Sequence, residues 1–349
     1  MKKEKIVRTM AGKTIWSVFG VFGFCLALIF FFTSESWAAQ PDLNKLQQLA
    51  EDEGEIVWYE SSPDNQFAEI ASAFHKRYPK IKLSHVRLRG ADTGTRIIAE
   101  SQADAPTADV ATTGLDILMA VDERGLLMRP DWKEVGIPPK LIATPYGLIS
   151  MASIYCLSYN TKLVSEQAVP KNWEDVLLPE WKSKVGIWQK PAGMALLTPV
   201  WKEEKVLAFA RKLAEQKPVV FRSTFPLNDA VAAGEIVIGM TIYHTAMAAV
   251  KKGAPLKLVF CDPTPYEPLC SSIPTKAKHP NAAKLFMRWL LSLEGAEAYE
   301  KATNRGNPWI EGTEASKLLH GKNLSTFSPE QSQEFTDISK KIEKILLTP

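Results

Sequence analysis

Residues 55–79 read "EIVWYESSPDNQFAEIASAFHKRYP", and the two halves of this stretch obey different periods. The opening "EIVWYES" is rich in β-branched and aromatic residues, as a buried strand is. Phe67, Ile70, Ala71, Phe74 and Tyr78 then recur at helical spacing and make one apolar stripe. Between the halves stands Ser61-Ser62-Pro63. Proline suits the first turn of a helix and serine the position before it, so Ser62 is expected to cap the helix and leave the Ser61 hydroxyl free. A strand feeding a helix through such a turn is the repeating unit of a parallel sheet covered by helices.

The same alternation continues outward. "KLSHVRLR" and "ADVATTG" read as strands, with helices near Thr95–Gln102 and Leu115–Arg124. A second block carries "VGIWQK", a helical run from Met194 to Gln216, "VVFRS", "LNDAVAAGE" and "IVIGMTIY". The extended runs "LISMASIYCLSYN" and "LKLVFC" flank that block, as two strands crossing between lobes would, one leaving near Tyr155 and one returning near Phe260. A helix from about Pro280 has an apolar face of Ala282, Leu285, Phe286, Trp289, Leu290 and Leu293, and a further amphipathic helix spans Ser328–Leu347. The fold class is therefore α/β, read as two lobes with a ligand cleft between them; the alternative is a single large sheet without a cleft.

The first 38 residues stand apart. Lys2, Lys3, Lys5, Arg8 and Lys13 precede an uncharged apolar run from Ile15 to Phe32, and Ser36-Trp37-Ala38 follows. This is an export signal with cleavage expected after Ala38; an uncleaved anchor is the alternative. Five basic and two acidic residues fall within it, so the 42 basic and 39 acidic residues of the whole chain leave 37 of each beyond it. A balanced charge gives no reason to expect nucleic acid as a partner. The remaining 311 residues suffice for two lobes with separate cores. Cys25 lies in the signal, and Cys156, Cys261 and Cys270 lie beyond it. Cys261 and Cys270 are placed to close the Pro-rich loop "CDPTPYEPLC"; the alternative is three buried thiols.

Ligands of open parallel sheets bind beyond the carboxyl ends of the strands, where helix N-termini present backbone N–H groups. The junctions "ESSPDNQ", "RGADTGTR", "ATTGLD", "KPAGMA" and "RSTFPLN" all fall there. They nominate Ser61, Ser62, Thr93, Thr95, Thr113, Gly193 and Ser223 as ligand-binding residues, with Tyr243 and His244 at the strand-to-helix turn in "MTIYHTA". For each hydroxyl the plain alternative is a helix cap. Arg89, Arg96 and Arg222 sit beside these junctions and suit a carboxylate or phosphate. Trp58 and Trp188 are placed to wall a planar ligand or to fill a core. The chain has no G-x-S-x-G elbow, H-E-x-x-H, P-loop or G-x-G-x-x-G, so no enzyme class is signalled.

At "GAPLKLVFCDPTP" and "SSIPTKAKHPNAAKLFMRWLLSLEGAEAYEKATNRGNP" the chain resembles the periplasmic solute-binding proteins of ABC importers, in the family 1 and ferric-iron-binding-like group. "TRIIAESQADAPTADV", "LSYNTKLV" and "NWEDVLLPEWKSKVGI" extend the resemblance over roughly residues 54–310. It implies a type II two-lobed fold, periplasmic and monomeric, that closes by a hinge on a small molecule and delivers it to an inner-membrane permease without chemistry. The implied boundaries are 1–38 for the signal peptide, 39–152 with 262–310 for the first lobe, 153–261 for the second and 311–349 for a helical tail. Iron-binding members carry two adjacent tyrosines where this chain has Tyr243-His244. Ferric iron as cargo would fall to Tyr59, Tyr243 and His244, a thin donor set for a hard trivalent ion. A small organic anion such as a carboxylate, phosphonate or sugar phosphate is the favoured ligand, and no cofactor is expected. A ligand-sensing domain and a hydrolase on a two-lobed scaffold are the rival functions.

Overall fold

The computed structural model describes residues 42–347. The signal segment, its cleavage point and Cys25 lie outside the described residues.

Eleven strands form the sheet: β1 (Glu55–Glu60), β2 (Lys82–Arg87), β3 (Val110–Gly114), β4 (Ile142–Thr144), β5 (Gly147–Asn160), β6 (Val185–Trp188), β7 (Val219–Phe221), β8 (Ile238–Ile242), β9 (Leu256–Val259), β10 (Thr264–Ser272) and β11 (Leu324–Ser325). Their order is β2-β1-β3-β10-β5-β8-β6-β7, with β4 and β9 on β5 and β11 on β10. β1 pairs in parallel with β2 and β3, and β6 pairs in parallel with β7 and β8. Two parallel halves are thus joined through the antiparallel pair β5 and β10. β5 belongs to both halves: residues Leu148–Ile154 pair with β10, and from Tyr155 to Tyr159 its partner is β8.

Each half has its own core. In the first, Trp58, Phe74 and Phe286 are fully buried, and Phe286 meets Trp58 edge-on at 5.0 Å and Phe74 at 5.2 Å. In the second, Leu157, Val185, Val206, Ala210 and Leu213 pack around β5 and the helix Thr198–Glu215. The region beyond residue 310 divides between neighbours. Ala315 and Leu319 pack with Ile154 and Tyr243, whereas Phe327, Ile338 and Ile342 join the second core. The helix Ser332–Leu347 is therefore a structural layer of the second half and lies along Thr198–Glu215.

The Pro-rich segment after Cys261 is a strand rather than a loop. Proline cannot donate to a sheet ladder, which argues against a central strand. Here Pro265 pairs only with β11, and Pro268 faces β5 before pairing with β3 begins at Leu269. Each proline sits where one side of the strand is unpaired. The same strand takes Cys270 into the cluster of Ile97 and Leu118, while Cys261 lies in the second core. No bridge forms between them, and Cys156, Cys261 and Cys270 are all buried thiols. Among the described residues no helix is long and apolar enough to cross a membrane.

Candidate functional site

The helix Leu293–Thr303 ends on Asn304, whose φ of 60° turns the chain out of the helix. The Thr303 hydroxyl accepts from the Arg305 backbone N–H at 3.1 Å. Gly306 follows because a Cβ at that position would overlap the Glu300 carboxylate and the Ala315 methyl. Glu300 cannot yield, since it accepts from the N–H groups of Glu314 and Ala315, each at 2.8 Å. The Gly306 carbonyl accepts from Ala152 N–H at 2.9 Å, and the Asn307 side chain donates to the Ile149 carbonyl at 2.8 Å. The turn is thereby fastened to β5, and its Arg305 side chain is aimed.

Arg305 meets groups from both halves. One terminal nitrogen donates to Nε2 of His244 at 2.9 Å, and the other lies 3.5 Å from the Ser61 hydroxyl. Guanidinium has no acceptor, so Nε2 must be the lone-pair nitrogen and the His244 proton must sit on Nδ1. Burial, reinforced by the Arg305 charge, lowers the His244 pKa well below its ordinary value and keeps the ring neutral. Two donors then remain buried without a partner: Nε of Arg305 and Nδ1 of His244. A buried unsatisfied donor costs about 1–3 kcal/mol, and more when charged. An oxyanion accepting from the Arg305 Nε–H would remove the cost of that donor and gain a charge-assisted bond.

Behind Arg305, Tyr299 is buried with its hydroxyl 3.5 Å from that of Ser62. Beside it, Tyr155 donates to Glu267 at 3.2 Å. Burial raises the Glu267 pKa, as does the charge of Asp116, against the lowering influence of Tyr155, Arg305 and Lys190. Glu267 protonates more readily than an exposed glutamate, which lessens its repulsion of an arriving anion.

The nominated residues separate. Ser61 and His244 meet through Arg305. Gly193 lies against the Tyr155 ring, where a Cβ would clash. Ser62 does not cap its helix, which begins at Asp64 after Pro63; its backbone N–H is taken by the Glu60 carboxylate at 2.5 Å, and its hydroxyl is buried. Thr93 is fully buried in the helix Ala91–Gln102 with its hydroxyl unpartnered, and Thr95 is exposed on the same helix. Thr113 donates to the Gly90 carbonyl at 3.1 Å. Ser223 caps the helix Thr224–Ala233. Arg89 and Arg222 are exposed, and Arg96 donates to Glu100 at 2.8 Å. Trp58 is core, with its indole N–H on Thr112 at 2.8 Å.

The donors proposed for iron do not converge. The Tyr59 hydroxyl donates to the Glu100 carboxylate at 2.8 Å among Ile97 and Leu118. Tyr243 packs with Ala315, Leu319 and Phe260. Burial pushes both phenols up to about 12, and Glu100 adds to this at Tyr59, so neither favours the phenolate that binds ferric iron. Among the described residues no group of three or more His, Cys, Asp or Glu is placed to hold a metal.

Residues 69–322 match the family described as bacterial extracellular solute-binding protein. A Haemophilus influenzae protein of uncharacterised function is 28% identical over 261 residues, covering 70% of this chain and 75% of that one. The periplasmic binding protein AfuA from Actinobacillus pleuropneumoniae, with exogenous fructose-6-phosphate bound, superposes with a TM-score of 0.68 at 25% identity over 84% of this chain and 99% of its own. Iron-bound HitA from Pseudomonas aeruginosa gives a TM-score of 0.69 at 18% identity, covering 82% and 99%.

Proposed function

This chain belongs to the bacterial extracellular solute-binding protein family, and on that premise we propose that it captures a small phosphate-, phosphonate- or carboxylate-bearing solute between its halves. It is a solute-binding protein and not an enzyme. The observation that carries the ligand class is the buried unpartnered Nε donor of Arg305, whose guanidinium bridges Ser61 of one half and His244 of the other. An anion bound there touches both halves, and a ligand that binds the closed form better shifts the balance toward closure. The family supports delivery to an ABC permease in the inner membrane and residence in the periplasm, and the expected export signal agrees with that location. AfuA, with a sugar phosphate bound, supports an oxyanion as cargo. Ferric iron is not favoured, because Tyr59 and Tyr243 lie in different clusters and both phenols resist ionisation.

The test is thermal unfolding of the purified protein with inorganic phosphate, methylphosphonate, glucose 6-phosphate, succinate and ferric citrate, citrate alone serving as control. Ligand at a hundredfold excess over its Kd stabilises by about 2.7 kcal/mol. At least one oxyanion is expected to raise the melting temperature in the native protein and not in a folded Arg305→Met variant. Stabilisation by iron beyond that of citrate, or an oxyanion shift that survives Arg305→Met, would overturn the reading.

A further inference from the structure

Next to the Arg305 site, at the carboxyl ends of β6 and β8, a partly open cavity with about 40 Å³ of room for the centres of water-sized molecules enters the second half. Tyr155 belongs to both places: its ring lines the cavity and its hydroxyl bonds Glu267 within the field of Arg305. The other walls are Trp173, Ile187, Trp188, Met194, Leu197 and Met240.

What decides the occupant is how few free polar groups those walls offer. The Trp173 indole N–H is committed to the Pro263 carbonyl at 2.8 Å and that of Trp188 to the Arg222 carbonyl at 3.2 Å. The Thr241 hydroxyl accepts from Asn228 at 2.9 Å. Thr224 and the exposed Lys190, whose ammonium stands 5.9 Å from the Trp188 ring, are the remaining polar side chains on the lining. A sugar ring sent into this space would lose water from several hydroxyls and find few partners, at a cost for each unpaired group. An apolar or aromatic group would lose only its hydration shell and gain contact with two indole rings and two methionines.

We propose that the solute is an amphipathic anion, with its oxyanion head on Arg305 and an aromatic or alkyl body in the Trp173–Trp188 cavity. This rests on the oxyanion reading above and narrows it to arylated or alkylated anions. The head fixes position, and the cavity supplies the discrimination between solutes.

Calorimetric titration of the native protein with methylphosphonate, phenylphosphonate and glucose 6-phosphate tests it. Phenylphosphonate is expected to bind about tenfold or more tighter than either of the others, since a ring taken out of water contributes at least that factor. Trp188→Ala should shrink the ratio of phenylphosphonate to methylphosphonate affinity several-fold. Equal affinity for methyl- and phenylphosphonate, or preference for the sugar phosphate, overturns the cavity assignment while leaving the oxyanion reading intact. An unchanged ratio in Trp188→Ala also overturns it. Failure of all three to bind overturns the cavity assignment, and failure of succinate as well overturns both.

Discussion

Arg96 and Arg305 are both arginines of the first half, and they are held in opposite ways. Arg96 lies on the surface of the helix Ala91–Gln102 with its side chain 43% exposed. Its Nε donates to Glu100 one turn away, and its guanidinium sits 4.9 Å from the centre of the Tyr59 ring. That charge has local partners. Arg305 is carried by a turn that Thr303, Glu300, Asn307 and β5 fix from four sides, yet its Nε is buried with no acceptor. A charge already satisfied contributes framework, whereas one aimed and left unpaired is a binding group.

Substituting the two arginines gives the largest expected contrast. Arg305→Met should weaken oxyanion binding at least about thirtyfold, because truncating one partner of a buried charged contact costs about 2–5 kcal/mol. Arg96→Met should change it less than twofold and stability by under about 1 kcal/mol, as a solvent-exposed ion pair does. Titration calorimetry on both variants checks this; equal losses would erase the distinction.

The second contrast concerns the turn itself. Gly306→Ala pushes a methyl into Glu300 and Ala315, and should destabilise the protein by about 1–3 kcal/mol in denaturant unfolding. It should also weaken oxyanion binding, since Arg305 is displaced with the turn. A stable variant with normal affinity would show that the turn's packing does not aim the guanidinium.

A smaller effect is expected with pH. His244 has its folded-state pKa lowered, so the unfolded chain takes up the proton first and stability is lost as pH falls from about 6.5 toward the folded value. His244→Gln can keep an acceptor for Arg305 and cannot be protonated. The stability difference between native protein and variant should be constant above pH 7 and shift against the native protein below 6.5. A difference that stays flat down to pH 5 would place His244 outside a buried neutral role.

The smallest effect belongs to Ser61→Ala, for which two- to threefold weaker binding is expected, because the 3.5 Å separation from Arg305 makes at most a weak hydrogen bond.

The alternation of periods in residues 55–79 was enough to place a strand and a helix, and the extended run ending at Asn160 was legible as a crossing strand. β10 was not, because Pro265 and Pro268 argue against a strand unless one knows which ladder side is vacant at each. His244 and Ser61 could be nominated because strand-to-helix junctions announce themselves in composition. Arg305 could not, since it follows a helix instead of opening one. "TNRGNP" carried a weak sign, a cluster of turn residues around an arginine. What makes that arginine special is the absence of an acceptor around Nε, which only the assembled packing decides. Tyr59 and Tyr243 illustrate the converse: residue types that suit a metal, carried by the fold into separate cores.

The most direct measurement is a proton–nitrogen spectrum of arginine Nε–H groups during titration with methylphosphonate, with Arg305→Lys used to assign the resonance. The Arg305 signal is predicted to move downfield and saturate with the binding curve, as a buried N–H acquiring a charged acceptor does. Saturable binding that moves the signals of Arg96 or Arg222 and leaves that of Arg305 unchanged would contradict the account.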